Sequence, residues 1–349
     1  MERTVRRWIA TLCAAAVMGV AASAQEPPSV RLVCDGEIPA RAPGVEAAIG
    51  GISGLAYDGQ QGTWIAVSDV PRGPCFVELK LTLGPALTME IPARPTLHVE
   101  VVRVFGHPAL ERGSPTDAEA IAIAPDGMEW FVGFEQPPAV LRLNPATKDA
   151  TTAPIEREFI EKIRANRAFE SVALRPTETG PELWVATENA LKPEPVATRA
   201  AGQKCRVLVL DPASLALRRE SAYITEPLAR GEDSAQAFVA LADLAAMPDG
   251  RVLALEKDWS TEHGPGARIF CLSGQEYAIA GTHRSERALV KIPIADLREL
   301  GAAPMGTIEA MAIGPQMAKG MDESMLVLIE DNNFAPDRGS QVIVLGLRP

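Results

Sequence analysis

One two-strand motif returns five times along the chain, and this repetition limits the fold more than any other feature of the sequence. The copies are ISGLAYDGQQGTWIAVSD (52–69), AEAIAIAPDGMEWFVGFEQ (118–136), FESVALRPTETGPELWVATEN (169–189), LADLAAMPDGRVLALEKD (241–258) and IEAMAIGPQMAKGMDESMLVLIEDNN (308–333). Each starts with an acidic or small residue and runs through an apolar stretch containing Ala. It then turns and ends a second apolar stretch in acids or amides. Pro-Asp-Gly, Gln-Gln-Gly and Glu-Thr-Gly supply turns between runs that alternate like strands. A third strand follows each time: CFVELKL (75–81), AVLRLNP (139–145), CRVLVLDP (205–212), ARIFCLS (267–273) and QVIVLGL (341–347). A fourth reads in HVEVVRVF (98–105), RESAYIT (219–225) and ALVKIPI (288–294). The fifth unit runs out of chain, so its missing strand is expected from SVRLVCDGEI (29–38).

Four-stranded units repeated around a ring and closed by a strand from the other terminus make a β-propeller. The expectation is therefore an all-β propeller of about five or six four-stranded blades, the motif recurring every ~50–70 residues. IEREFIEKIRANRA (155–168) interrupts the pattern as an amphipathic helix, with Ile155, Phe159, Ile160 and Ile163 on one face. The segment 190–203 reads as loop.

Residues 1–24 read as a removable export signal: Arg3, Arg6 and Arg7, an apolar run over 8–22, then Ala-Ser-Ala before Gln25. The apolar run is shorter than the ~20 residues of a membrane span. The domain proper is expected over 25–349 and its location is periplasmic or secreted. Cys34, Cys75, Cys205 and Cys271 then remain. An even number in an oxidising compartment suggests disulfides, and Cys34–Cys75 with Cys205–Cys271 would each join neighbouring units. A formal charge of −11, with no basic run longer than two residues, argues against nucleic acid as a partner. No stable membrane insertion is expected of the mature chain.

The repeat places polar side chains at corresponding points. Ser53, Glu119, Glu170, Asp243 and Glu309 open the first strands. Asp69, Glu135, Glu188, Asn189, Glu256, Asp258, Asp331, Asn332 and Asn333 close the second strands. If equivalent positions face inward, carboxylates converge at one mouth of the channel. Such an oxygen-rich cluster suits Ca2+, with Asp69, Glu119, Glu170, Glu309 and Asp331 as candidate ligands. Acids and amides at strand ends also form turns, so Asp331-Asn332-Asn333 has two readings. Asp331 and Asn333 are expected to share a face, with Asn332 turned inward.

In this order, ISGLAYD…WIAVSD, DAEAIAI, NRAFESVAL, LADLAAMPDGRVLALEK and IEAMAI…LVLIEDNNF resemble the bacterial phytase-like proteins described as having esterase-like activity of phytase. Two departures stand out. Ala120, Ser171 and Ala310 occupy positions where that family tends to have Gly, and Lys257 stands where it has Arg. The resemblance implies a calcium-assisted phosphoesterase acting on a small molecule. Glu119, Glu170 and Glu309 would be the catalytic carboxylates. Arg72, Lys257 and Arg338 would hold phosphate charge, and Asn332 and Asn333 would lie at the substrate. Serine-esterase chemistry finds no Gly-x-Ser-x-Gly, and Ser53 in GGISGLA is one residue out of register for it. The alternative is a non-catalytic envelope propeller that binds a ligand or protein partner. The missing glycines and the shortage of histidine favour that reading.

Overall fold

The computed structural model describes residues 26–349 apart from 44, 46–47, 71–74, 87–93, 111–115, 229–235, 280–285 and 319. The expected export signal and Arg72 lie outside the described residues. After the N-terminal strand β1 (Ser29–Ile38) come four complete four-strand units. The first holds β2 (Ile52–Asp58), β3 (Thr63–Ser68), β4 (Cys75–Ala86) and β5 (Pro95–Phe105). The second holds β6 (Thr116–Ile123), β7 (Trp130–Gln136), β8 (Pro138–Leu143) and β9 (Ala150–Thr152). The third holds β10 (Phe169–Arg175), β11 (Glu182–Thr187), β12 (Lys204–Leu210) and β13 (Leu217–Ile224). The fourth holds β14 (Phe238–Ala246), β15 (Val252–Ser260), β16 (Gly264–Ala278) and β17 (Arg287–Asp296). The fifth has β18 (Ile308–Gln316), β19 (Ser324–Glu330) and β20 (Ser340–Arg348), and takes β1 as its outer strand.

Neighbouring strands within each unit pair antiparallel. The third and fourth units merge into one eight-stranded sheet through a single parallel pair, Ala222 with Ala288. The first strands β2, β6, β10, β14 and β18 lie side by side in that order, and β18 returns to β2. The result is an all-β fold with propeller-like closure. β1 completes it as expected: Val30 pairs with Leu347 and Cys34 with Val344. Closing a sheet this way removes an exposed edge from each partner.

The core lies between adjacent units rather than inside any one of them, which is why the strands are apolar on both faces. Ile52, Trp64, Val327 and Val344 join the fifth unit to the first. Ile65, Phe76, Trp130 and Val132 join the first to the second. Three further clusters fill the remaining junctions.

Two expectations fail. The helix is only α1 (Arg157–Lys162), not 155–168. Its N-cap Glu156 makes no side-chain cap and Ile163 is already extended. Asn166 then takes a left-handed φ of 55°. The apolar face is real nonetheless, since Ile155, Phe159, Ile160 and Ile163 all pack on the cluster between the second and third units. The expected disulfides do not form: Cys34, Cys205 and Cys271 are buried free thiols. Each faces a different inter-unit core, so none can meet another. They pack as small apolar side chains, and the Cys205 thiol donates to Glu188 O at 3.0 Å. The side chain of Cys75 lies outside the described residues.

Closure by β1 yields a direct prediction. Ile38 is 1% exposed in the closing cluster, so Ile38→Ala should cost about 2–5 kcal/mol in equilibrium urea unfolding. Val30, only partly buried on the same strand, is the control. Equal losses at both positions would show that β1 does not seal the ring.

Candidate functional site

The five first strands share one irregularity, and it builds the site. The pairing slips between Ile52 and Gly54, Ala118 and Ala120, Phe169 and Ser171, and Ile308 and Ala310. The residues left unpaired are Ser53, Glu119, Glu170 and Glu309. In the fourth unit the slip falls between Leu241 and Asp243 and leaves Ala242 unpaired. A bulge bends the strand and re-aims the extra side chain, so one bulge per unit presents that residue at one mouth of the ring. Asp243 is therefore not the counterpart of the glutamates. Its carboxylate accepts from Leu244 N and Met311 N, both at 2.7 Å, and ties the fourth unit to the fifth.

A second set follows from the same register. Ser68, Phe134, Thr187, Glu256 and Glu330 pair with the residue before each bulge. The next residue in each unit is Asp69, Glu135, Glu188, Lys257 or Asp331. Four units thus offer a carboxylate at this position, and the fourth offers a lysine.

The two sets converge. Ligand oxygens of Glu119, Glu170 and Glu309 lie within 4.8 Å of one another, as do those of Glu135, Glu170 and Glu188, and of Asp69, Asp117 and Glu119. Lys257 Nζ sits 3.2 Å from Glu170, 3.1 Å from Glu188 and 3.0 Å from Glu309. Arg167 makes a further ion pair here, at 2.9 Å from Glu188. Burial alone would lower the Lys257 pKa, but Glu170, Glu188 and Glu309 outweigh it and hold the ammonium well above its usual value. The acids still outnumber the bases. Burial, then Glu188, raises Glu170 well above the carboxylate range. Burial, then Glu309, does the same to Glu119. Burial pushes Asp69 to about 6, and Glu135 and Asp331 to about 7.

The sequence-nominated residues divide clearly. Glu119, Glu170, Glu309, Asp69 and Asp331 all face this mouth, and Asp331 feels both Glu309 and Asp69. Lys257 lies inside the acid cluster, 3% exposed, rather than on the surface. Arg338 is committed to Glu330 at 2.7 Å. Asn332 is a turn former: its Oδ1 accepts from Gly51 N and Phe334 N, and its Nδ2 donates to Arg338 O. Asn333 is exposed at a φ of 48°, turned away from the face it was expected to share with Asp331. The turn packs on Gly51, whose φ is +58° and where a Cβ would strike Asp69 and Phe334. The Ala120 and Ala310 methyls pack in the inter-unit cores, so these two replacements for glycine do not narrow the mouth, and Ser171 is buried with its Oγ unpartnered. Asp117, half-buried at a φ of 66°, was not singled out by the sequence, because it precedes the repeated acid and has no counterpart in the other units.

Farther along the axis the same strands line an open pocket of about 130 Å3, with Ala56, Ala122, Ala173, Ala245 and Ala312 at equivalent places. Small side chains recur there because five strands crowd one axis. Among the described residues no helix is long and apolar enough to cross a membrane.

A closed ring of antiparallel units with an acid-lined mouth defines a propeller-like protein with clustered, buried carboxylates that could hold a metal ion. The chain belongs to the phytase-like family described as esterase-like activity of phytase, whose model matches residues 47–334. No curated protein matches its sequence. Solved structures give only distant likenesses. One is the PQQ-bound aldose sugar dehydrogenase of Streptomyces coelicolor, at 14% identity and TM-score 0.43, covering 92% of this chain and 99% of that one. Another is the endo-arabinase of Bacteroides thetaiotaomicron, at 8% identity and TM-score 0.44, covering 85% and 94%. A third is the calcium-binding protein regucalcin of Agrobacterium tumefaciens, at 12% identity and TM-score 0.37, covering 92% and 95%. None of the three bears on the chemistry of this mouth.

The raised carboxylates predict how stability varies with pH. Their folded pKa values exceed the ordinary value of about 4, so the native state binds more protons than the unfolded chain. That stabilisation is complete in acid and is lost as pH rises through about 6 for Asp69 and about 7 for Glu135 and Asp331. Chelator-treated protein should therefore melt several degrees lower at alkaline pH than in mild acid. Asp331→Asn, which keeps the oxygen that accepts from Asn333 N, should shrink the difference. A melting temperature that rose across this range would contradict the assignment.

Proposed function

We propose that the chain is an exported, divalent-cation-dependent phosphoester hydrolase, with five blades and its active centre at the acid-lined mouth. The observation that carries this reading is the Asp69–Asp117–Glu119 cluster. Its oxygens lie within 4.8 Å of one another, and Asp69 Oδ1 is buried without a hydrogen-bond partner. Two oxygens about 2.4 Å from a shared ion are at most about 4.8 Å apart, so a hard divalent cation fits. Among the described residues no basic side chain pairs with Asp69, Asp117 or Glu119. Asp331 lies beside Asp69 on that side. Calcium, magnesium and manganese all suit such a set of oxygens. When bound, the ion would neutralise phosphate oxygens and acidify water.

The chain's own residues supply the proton chemistry. Glu119, whose carboxyl burial and Glu309 hold well above the usual carboxylate range, is the group placed to deliver a proton to the leaving alcohol oxygen as the P–O bond breaks. Asp331, pushed to about 7, is partly ionised there and can take the proton of the attacking water. Glu170 and Glu309 orient Lys257. The opposing reading, a propeller that binds a ligand without turnover, is favoured by that same lysine, which neutralises Glu170, Glu188 and Glu309 from within.

Hydrolysis of p-nitrophenyl phosphate and an inositol polyphosphate, followed after chelation and after Ca2+, Mg2+ or Mn2+ is restored, separates the two. The hydrolase reading expects metal-restored activity, and a Glu119→Gln kcat about 10²–10⁴-fold lower with little change in KM. Binding without turnover under every metal would leave the ligand-binding reading in its place.

A further inference from the structure

Strand register makes Lys257 the counterpart of Asp69, Glu135, Glu188 and Asp331, and Ala242 the counterpart of Ser53, Glu119, Glu170 and Glu309. The fourth unit thus contributes no carboxylate from either position. A methyl group stands where three of the other units carry Glu and the first carries Ser, and an ammonium stands where all four carry an acid. The lysine crosses to both neighbours, reaching Glu170 and Glu188 of the third unit and Glu309 of the fifth. Contacts at 3.0–3.2 Å to three carboxylates, with the side chain 4% exposed, are the surroundings of a bound cation. All three donors of the ammonium can be used on them. A separate observation shows that this pocket has acceptor capacity to spare. Glu135, 2% exposed, keeps Oε2 without a partner, and its ligand oxygen lies within 4.8 Å of those of Glu170 and Glu188.

We propose that Lys257 is a tethered substitute for a divalent cation. It fills the half of the mouth formed by Glu135, Glu170, Glu188 and Glu309, and it confines exogenous ions to the Asp69–Asp117–Glu119 half. This deepens the cation-dependent reading of the mouth and rests on it. Removing the ammonium while keeping a chain of similar length leaves oxygens spaced for a hard ion about 2.4 Å from each. The variant should therefore take up a cation that the parent excludes.

The test compares chelator-stripped parent, Lys257→Met and Lys257→Arg, titrated with Ca2+ and Mn2+ by calorimetry. Native mass spectrometry counts the bound ions, and thermal melts follow stability. Lys257→Met should bind one more ion per chain than the parent, and its melting temperature should rise on adding metal by more than the parent's does. Lys257→Arg, which keeps the charge, should gain no ion. In Asp69→Asn/Lys257→Met the added ion should persist while the other is lost. The inference is overturned if Lys257→Met binds no more ions than the parent, if Lys257→Arg gains one, or if Lys257→Met stays unfolded in millimolar Ca2+ and Mn2+. A parent that binds no ion beside a Lys257→Met that binds one would support the tethered cation and sink the cation-dependent hydrolase. A parent with metal-restored turnover beside an unchanged Lys257→Met count would do the reverse.

Discussion

Like charges brought out of water onto one axis are the constraint around which this molecule is arranged. Closing the ring carries the bulge of every unit to the same mouth, and most of those bulges bear a glutamate. Two such groups cannot both ionise at close range without a counter-ion. Lys257 supplies that counter-ion, at 3.2 Å from Glu170 and 3.0 Å from Glu309. Removing one partner from a buried ion pair typically costs about 3–5 kcal/mol, because the survivor stays charged and dry. Asp69, Glu135 and Asp331 form no ion pair with Lys257 or Arg167, and burial drives them toward neutrality.

The closing joint shows how the same residues serve fold and site together. The strand that ends at Glu330 turns through Asp331-Asn332-Asn333-Phe334 onto Gly50 and Gly51 of the first unit. Glu330 binds Arg338, and Asn332 saturates Gly51 N and Phe334 N. Of this cluster only Asp331 is left to face the mouth. Its other oxygen contact, Asn333 N at 2.7 Å, fixes where its carboxylate points. A position that looks like excess acid in the sequence is thus mostly a lock between the last unit and the first.

The strands and their closure by 29–38 were legible because alternation and turn residues are local signals repeated at regular spacing. β9 was not, since Ala150–Thr152 is short and exposed and carries no apolar pattern. The acid sets were mostly legible, with one instructive error. Asp243 was grouped with the glutamates by chemical kind, whereas aligning LADLAA with FESVAL by spacing puts Ala242 opposite Glu170. Lys257 read as a phosphate holder through the family resemblance, and by itself as a solvated surface charge. Its partners Glu170 and Glu309 are 87 and 52 residues away in the chain, and only the closed ring brings them to it. The disulfides failed for a related reason: an even cysteine count says nothing about which core each thiol faces.

The fourth unit makes the mouth unequal, and the inequality organises its chemistry. On one side Lys257 and Arg167 pair with Glu170, Glu188 and Glu309, and Glu135 Oε2 is left without a partner beside them. On the other, Asp69 keeps a buried oxygen with no donor, and Asp117 and Glu119 lie close by. Glu119 belongs to both clusters, so a change of charge on the open side is felt by the closed side through that residue. The lysine therefore does more than balance charge: it gives a five-fold ring a single direction.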